Sequence, residues 1–179
     1  MRKINEIWYR SETIQYLTRN KDFSTIICHR PSWRNLDYLG KRERLPEGLK
    51  FNLCKFTRST KDVLRGLHGC FHTWKYMSVP HGKVKFVVAD VRKDSPNFLK
   101  WDSFVLSSEN HVGVLVPPGF VNGHLCISDA CLYHYMMSYD CAYIEPNEQV
   151  VLRWDDERLN INWPVTDPIL SERDKSSNI

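Results

Sequence analysis

Turn residues divide the chain into short segments at close intervals, and this spacing limits the folds that the chain can adopt. Clear turn signals are Pro46-Glu47-Gly48, Pro80-His81-Gly82 and Asp94-Ser95-Pro96-Asn97, since glycine and proline are the strongest breakers of regular structure. The 8 tyrosines and 6 tryptophans favour strands over helices in the segments between the turns. Eight or more short strands at roughly ten-residue spacing predict an all-β fold, either a sandwich or a barrel.

The predicted strands cover most of the chain from residue 49 onward. The preceding segment is less regular, although Ser11-Glu12-Thr13 could begin a short helix and residues 23–28 read as a strand. A chain of 179 residues is one domain by its length, which we divide into an N-terminal arm with strands, 1–48, and a core, 49–175. The predicted core strands are residues 49–58, 63–68, 76–79, 83–91, 101–106, 111–116, 131–139 and 148–154.

The charge and cysteine patterns argue against several classes of protein. The net charge is +4, but the basic residues are dispersed, which is not typical of a nucleic-acid-binding face. The 6 cysteines form no C-x-x-C pair, and no H-x-H pair occurs, so we expect no metal site. The best apolar run, 112–121, is broken by proline and glycine and is too short for a bilayer. We therefore predict a cytoplasmic protein with reduced thiols and without nucleic-acid or membrane partners.

His68 is the first candidate for chemistry, because it ends an apolar run and has the cations Arg65 and Lys75 nearby. A histidine in this setting is either a general base facing an anionic ligand or a buried core residue. Residues three apart on a regular strand face opposite ways, so Arg65 and His68 share a site only if the strand bends at Gly66. Lys75 is either a solvated strand-edge lysine or a cation that stabilises a developing oxyanion.

Two tyrosines lie two positions apart in the predicted strand 131–139. Alternation along a strand places Tyr133, Tyr135 and Met137 on one face. A tyrosine on the inner face of a sandwich usually packs with its hydroxyl capped, but it can donate a proton if it faces a cavity.

Five sequence motifs, taken together and in this order, resemble those of one protein family. No single one of them is specific enough to show the resemblance. They are V-L-R-G-L-H at 63–68, the segment 75–91, S-P-N-F-L-K-W at 95–101, P-P-G-F at 117–120, and R-W-D-D through L-S-E-R-D at 153–174. In this order they resemble the G-V-L-R-G-L-H signature, the K-L-V-x-x-x-x-G-x-V strand pair, the S-P-T-F-x-K-W turn, the P-x-G-F loop and the L-S-x-x-D ending of the dTDP-4-dehydrorhamnose 3,5-epimerase family. The similarity covers roughly residues 49 to 175.

This resemblance implies a fold, an activity and a set of site residues. The implied fold is a cupin-type jelly-roll sandwich with a few short helices, in a homodimer that exchanges N-terminal strands. The implied activity is that of an enzyme that needs no cofactor and acts on a nucleoside-diphosphate 4-keto sugar. The family's base falls on His68, and the aspartate that orients it falls on Asp174. The family's lysine falls on Lys75, and its phosphate-contacting arginine falls on Arg65.

The family's tyrosine falls on Tyr135, with Tyr133 as the runner-up. The sequence Y-H-Y-M-M-S-Y at 133–139 resembles the Y-x-Y-K-x-x-Y pattern of the branch that acts on GDP-4-keto-heptoses, with methionine in place of the lysine. Asn122 stands where the rhamnose enzymes carry histidine, and the heptose enzymes tend to have N-x-H there. Asn122 and His124 are therefore candidate substrate-binding residues of that branch.

The N-terminal third departs from the family pattern. The usual Q-D-N or Q-D-K becomes L-C-K at 53–55, and the early D-x-R-G-x-x-x-E segment is not recognisable. These positions help to hold the nucleotide and the sugar in the family, so Lys55 is a further candidate for substrate binding.

We expect an epimerase that inverts C3, C5 or both of a nucleotide-linked 4-keto sugar. The first choice of substrate is a GDP-4-keto-heptose or 6-deoxyheptose, in capsule or lipopolysaccharide biosynthesis. The alternative is a dTDP-4-keto-6-deoxyhexose 3,5-epimerase or a 3,4-ketoisomerase. An alternative of another class is a non-catalytic sugar-nucleotide-binding cupin, but such a module has no need for an acid and a base on opposite faces of a sugar.

Overall fold

The computed structural model describes residues 2–4, 7–9, 27–29, 49–139 and 149–178. Within these ranges the chain forms 12 β-strands, and the helical element that they contain is a 3-10 turn at Arg173–Lys175. The strands are β1 (Arg2–Ile4), β2 (Ile7–Tyr9), β3 (Ile27–His29), β4 (Leu53–Thr60), β5 (Leu64–Cys70), β6 (Thr73–His81), β7 (Lys83–Asp90), β8 (Trp101–Ser107), β9 (Gly113–Val116), β10 (Phe120–Cys126), β11 (Ala130–Tyr139) and β12 (Val150–Val151).

Two five-stranded sheets form the body of the protein. The first sheet has the order β12-β5-β10-β7-β8, and the second has the order β3-β9-β6-β11-β4. All pairs of neighbouring strands in both sheets are antiparallel. Strands β1 and β2 pair with each other as a separate hairpin. The predicted all-β sandwich is confirmed.

A buried apolar core fills the space between the sheets. Phe86 and Val88 of β7 belong to it, together with Met77 of β6 in the other sheet. The intervening β7 residues, Val87 and Ala89, face the opposite way and pack under the C-terminal segment. Each such valine or phenylalanine contributes roughly 1.5–3 kcal/mol by leaving water. Since both faces of β7 are covered, this strand reads as a continuous apolar run rather than an alternating one.

Strand β10 occupies the middle of the first sheet but is absent from the predicted strands. Pro117-Pro118-Gly119 precedes it, and Asn122-Gly123 inside it also has the composition of a turn. The pairing with β5 on one side and β7 on the other overrides these local signals. The predicted strand at 148–154 is shortened to Val150–Val151, whereas the other predicted core strands are confirmed with shifted ends.

Gly66 bends β5 at the point where its polar residues gather. Asn122 of β10 pairs with His68 of β5. His124 pairs with Arg65, so β5 has one extra residue between the two pairs. Because Asn122 and His124 lie on one face of β10, their two partners also lie on one face. Gly66 has a φ of 108°, and a Cβ there would lie 2.5 Å from the β10 backbone, so the site requires glycine. The condition for Arg65 and His68 to lie on one side of the strand, a bend at Gly66, is therefore met.

Much of the predicted N-terminal arm, 1–48, lies outside the described residues, as does the predicted helix at Ser11-Glu12-Thr13. The predicted strand at 23–28 is represented by Ile27–His29, which pairs with β9. The division into arm and core, and the exchange of N-terminal strands in a dimer, remain predictions. Among the described residues, no helix has the length and apolar character needed to cross a membrane.

Candidate active site

A cavity of about 190 Å³ lies between the two sheets. Pockets for drug-sized ligands are typically about 300–1,000 Å³, so this volume suits a sugar ring rather than a whole sugar nucleotide. Both sheets contribute to its wall, and two residues come from the segments around β12 and the 3-10 turn. The lining residues are Thr57, Arg65, Lys75, Met77, Asn122, His124, Tyr133, Tyr135, Met137, Gln149 and Arg173.

Strand β11 contributes three side chains to this wall. Tyr133, Tyr135 and Met137 all line the cavity, which confirms that they share one face of the strand. They belong to the second sheet, whereas Arg65 and Asn122 enter the wall from the first sheet. The cavity is therefore bounded by polar side chains from two opposing directions.

The imidazole of His68 lies against the buried carboxylate of Asp174. The Nε2 atom of His68 is buried and lies 3.0 Å from Oδ1 of Asp174, within ion-pair distance but without the alignment of a regular hydrogen bond. The same oxygen accepts the backbone N–H of Gly66 at 2.8 Å, and Oδ2 accepts the hydroxyl of Ser171 at 2.5 Å. Burial acts to raise the pKa of Asp174, but the hydrogen bonds outweigh it and lower this pKa to about 2. Asp174 is thus a fixed anion behind His68.

Burial lowers the pKa of His68 below its ordinary value of 6.5, against the opposing influence of Asp174. His68 is therefore neutral at pH 7. A carboxylate facing Nε2 favours the tautomer with its proton on that nitrogen, which leaves Nδ1 as the basic nitrogen. The side chain is 19% exposed. It stands at the rim of the cavity, beside the wall residues Lys75 and Asn122, and is not itself part of the wall.

Lys75 lines the cavity and hydrogen-bonds to the backbone of His68. Its Nζ donates to the carbonyl oxygen of His68 at 3.0 Å and to Oδ1 of Asn122 at 3.3 Å. Burial lowers the pKa of Lys75 from 10.5 to about 8. Most of the lysine is still protonated at pH 7, so the cavity contains a partly desolvated cation. Electrostatic attraction from such a cation is stronger than it would be in water.

His124 and Tyr133 form a ring stack across the two sheets. Their ring centroids are 3.8 Å apart and their planes differ by 13°, and each residue is 4% exposed. Burial lowers the pKa of His124 to about 3 and raises the pKa of Tyr133 well above 10. Both side chains are therefore neutral at pH 7.

Two predicted substrate contacts lie towards the open side of the sandwich. Arg65 lines the cavity while staying exposed, and its Nε donates to Oγ of Ser59 at 3.4 Å. Lys55 pairs with Tyr135 across β4 and β11 and faces the same side, but it is exposed and lies outside the cavity wall. The structure thus gathers the other predicted catalytic and substrate-binding residues in or beside the cavity wall, and it places Lys55 just outside that wall.

Sequence reasoning missed several residues of the site. Arg173 donates from Nη2 to Oε1 of Gln149 at 3.1 Å, and both line the cavity. Ser171 and Arg173 belong to the L-S-x-x-D ending, where only Asp174 was assigned a role, so a signal for them existed. Gln149 has no recognisable motif and reaches the cavity only through the pairing of β12 with β5.

The polar groups at the cavity are of the kinds that transfer and stabilise protons. Among the residues that the structure describes, no three His, Cys, Asp or Glu side chains converge as metal ligands would. The available groups are a neutral imidazole beside a carboxylate, a partly buried ammonium group and a phenol. These are the groups that general acid–base catalysis with oxyanion stabilisation requires.

Comparison with protein families identifies a relationship that covers most of the chain. The family model described as dTDP-4-dehydrorhamnose 3,5-epimerase matches residues 39–179. The dTDP-4-dehydrorhamnose 3,5-epimerases of Escherichia coli K12 and Salmonella typhimurium are 37% and 34% identical over 123 and 125 residues. These alignments cover 66% and 68% of this chain, and the chain spans 65% and 67% of those relatives. Both are named for dTDP sugars, so the predicted GDP-4-keto-heptose branch gains no support from them.

Solved structures show the same architecture. A dTDP-6-deoxy-D-glucose-3,5-epimerase from Legionella pneumophila, in complex with dTDP-4-keto-L-rhamnose, is 27% identical with a TM-score of 0.75, covering 89% of this chain and 88% of that one. A dTDP-4-dehydrorhamnose 3,5-epimerase from Bacillus anthracis, with TDP and pyrophosphate bound, is 27% identical with a TM-score of 0.76, covering 93% and 99%. The predicted cupin-type jelly roll is thereby confirmed, and the chain belongs to the dTDP-4-dehydrorhamnose 3,5-epimerase family.

Proposed function

We propose that this protein is a cofactor-independent epimerase that inverts C3, C5 or both of a dTDP-linked 4-keto-6-deoxyhexose. One observation carries the proposal: the candidate base and the candidate acid stand on different sheets of the sandwich, the acid in the wall of the cavity and the base beside the wall residues Lys75 and Asn122. His68 belongs to β5 of the first sheet, and Tyr135 belongs to β11 of the second. Inversion needs this separation, because the proton removed from one face of the sugar must be replaced on the other.

His68 acts as the base. A carbon next to a ketone releases a proton to a neutral imidazole only when the developing enolate is stabilised. The buried Asp174 carboxylate, 3.0 Å from Nε2, holds the ring and stabilises the imidazolium that forms. Nδ1 then takes the proton from C3 or C5 of the sugar.

Lys75 stabilises the oxygen of the enolate. Its ammonium group already lies between two oxygen atoms, the His68 carbonyl and Oδ1 of Asn122, and a ketone oxygen at C4 can join or replace them. The charge on this oxygen grows during proton removal, so the cation binds the transition state more tightly than the substrate.

Tyr135 delivers the new proton from the opposite face. It lines the cavity and packs on the core between the sheets. General acid–base help of this kind is worth on the order of 10²–10⁴ per group. Tyr133, the runner-up for this role, lies deeper in the same wall at 4% exposure.

The diphosphate remains on the open side of the cavity. The volume of about 190 Å³ suits the sugar alone. Arg65 and Arg173 line the cavity, and we propose their guanidinium groups as the ones that hold the phosphates. Arginine suits this task because its planar, permanently charged group binds phosphate oxygens in pairs. A homodimer and a place in capsule or lipopolysaccharide synthesis remain predictions.

The names of the relatives favour a dTDP sugar, whereas the tyrosine pattern at 133–139, together with Asn122 and His124, suggested a GDP-linked heptose. The two substrates can be compared directly. The protein is incubated in deuterated water with dTDP-4-keto-6-deoxyglucose and, separately, with GDP-4-keto-6-deoxyheptose, while proton signals at C3 and C5 are followed. We expect loss of these signals and inverted product with the dTDP sugar.

Each other result refutes a defined part of the proposal. Faster turnover of the GDP sugar would contradict the choice of nucleotide. A carbonyl that moves to C3 would identify a 3,4-ketoisomerase. Binding without any exchange would identify a non-catalytic sugar-nucleotide-binding protein.

A further inference from the structure

The stack of His124 on Tyr133 joins the two sheets inside the cavity. His124 comes from β10 of the first sheet, and Tyr133 comes from β11 of the second. Arg65 pairs with His124 and Thr57 pairs with Tyr133 on the adjacent strands; both also line the cavity and are more exposed than the stacked pair. The stacked pair therefore forms an inner wall, behind the residues at which a ligand enters.

Two polar atoms of this stack have no partner among the residues that the structure describes. His124 Nε2 and Tyr133 Oη are both buried, and neither makes a hydrogen bond to that part of the chain. A buried polar atom without a partner costs about 1–3 kcal/mol, and native proteins rarely leave buried polar atoms unpaired. Both residues line the cavity, so a ligand in the cavity can supply the missing partner.

The two atoms have complementary hydrogen-bonding capacity. The Tyr133 phenol remains protonated, since its pKa lies well above 10, and it donates a hydrogen bond. The His124 imidazole remains neutral, with a pKa of about 3, and its Nε2 accepts a hydrogen bond when the ring proton is on Nδ1. A hydroxyl group accepts from the first and donates to the second. A methyl group would leave both unpaired.

We propose that His124 and Tyr133 form a subsite that binds one hydroxyl group of the sugar and selects substrates that carry it. This inference rests on the proposed epimerase function, which supplies the sugar. The hydroxyl is not the ketone oxygen, because that oxygen lies with Lys75 and Asn122. The hydroxyl at C3 changes its position when that carbon inverts, so the bound group is either the ring hydroxyl at C2 or a hydroxyl on the exocyclic carbon attached to C5. The same two atoms can recognise both.

The experiment pairs substrate changes with side-chain changes. The substrates are dTDP-4-keto-6-deoxyglucose, its 2-deoxy counterpart and its counterpart with a hydroxyl at C6. The variants are H124F and Y133F, which keep an aromatic ring in the stack but remove the polar atom. M77L, at another lining residue, serves as the control for a change in packing. For each combination kcat/KM is measured from proton exchange, and Kd is measured by calorimetry with the same sugars.

We expect one hydroxyl, at C2 or at C6, to raise kcat/KM of the wild-type protein by about tenfold or more, since a site built for a hydroxyl discriminates strongly against its absence. H124F and Y133F should each abolish most of that gain. Any decrease in kcat/KM that M77L causes should be the same for all three substrates. The position of the hydroxyl that produces the gain identifies which of the two is bound.

The inference is overturned if neither hydroxyl affects wild-type kcat/KM or Kd, or if both variants lose equal activity on all three substrates. A failure of the proposed function looks different, because the wild-type protein would then exchange no protons with any of them. In that case Kd decides: a hydroxyl-dependent Kd that is lost in both variants supports the subsite, and a Kd without this dependence refutes it.

Discussion

Replacing Asp174 by asparagine tests the support behind the proposed base. Asparagine has the same shape, so Oδ1 can still accept the Gly66 N–H, which lies 2.8 Å from the carboxylate. The negative charge is lost, and with it the attraction for the imidazolium that His68 would form 3.0 Å away. The equivalent change behind a catalytic histidine in a serine protease lowers kcat by about 10⁴. We expect a fall in kcat of roughly 10²–10⁴ for D174N, since general-base help itself is of this size.

The same substitution has a calculable effect on stability. The pKa of Asp174 is lowered from 3.8 to about 2 in the folded protein. At about 1.4 kcal/mol per pKa unit, the ionised carboxylate stabilises the fold by roughly 2–3 kcal/mol at neutral pH. Because the folded-state pKa is the lower one, this contribution is complete above pH 4 and is lost as the pH falls from about 4 to 2. D174N should therefore unfold at lower urea concentration than the wild-type protein at pH 7, and the difference should shrink at pH 2.

The assay measures kcat for epimerisation and the urea midpoint of the same samples. D155N is the matched control, because Asp155 is an exposed carboxylate paired with Arg153 outside the cavity. We expect D155N to retain wild-type kcat. A folded D174N protein with kcat within about threefold of wild type would refute the reasoning, because a positioning carboxylate of this kind is worth far more.

Two further predictions follow from the electrostatics and the backbone. The rate should depend on pH as a bell, rising with deprotonation of His68 below pH 6.5 and falling through about pH 8 as Lys75 loses its proton. K75M should lose most of its kcat, and its rate should no longer fall through about pH 8. If the rate of K75M still falls there, another group titrates in that range. G66A should destabilise the protein by at least about 1–3 kcal/mol in urea unfolding, since its Cβ would lie 2.5 Å from the Cα of Gly123 and its φ is 108°. A wild-type midpoint for G66A would show that β5 can relax without the bend.

The fold could be predicted in outline because turn spacing and alternation are local properties. Tyr133, Tyr135 and Met137 share a face for the reason that the sequence suggested. Strand β10 could not be predicted, because Asn122-Gly123 carries turn composition and only the strands on both sides of it enforce an extended backbone. The bend at Gly66 was foreseen only as a requirement for Arg65 and His68 to meet.

The site was harder to predict, because its contacts join residues far apart in the chain. The pairing of His68 with Asp174 followed from family resemblance, not from any local pattern. The stack of His124 on Tyr133 depends on which strands face each other across the sandwich, and no sequence pattern contains that information. The bond between Arg173 and Gln149 was missed for the same reason.

The most direct test of the central claim separates proton removal from proton delivery. The variants H68N and Y135F are incubated with dTDP-4-keto-6-deoxyglucose in deuterated water, and both deuterium incorporation and inversion are measured by proton NMR. If His68 removes the proton and Tyr135 replaces it from the other face, H68N incorporates no deuterium. Y135F should incorporate deuterium but lose inversion by roughly 10²-fold or more. Undiminished epimerisation in both variants would contradict the account.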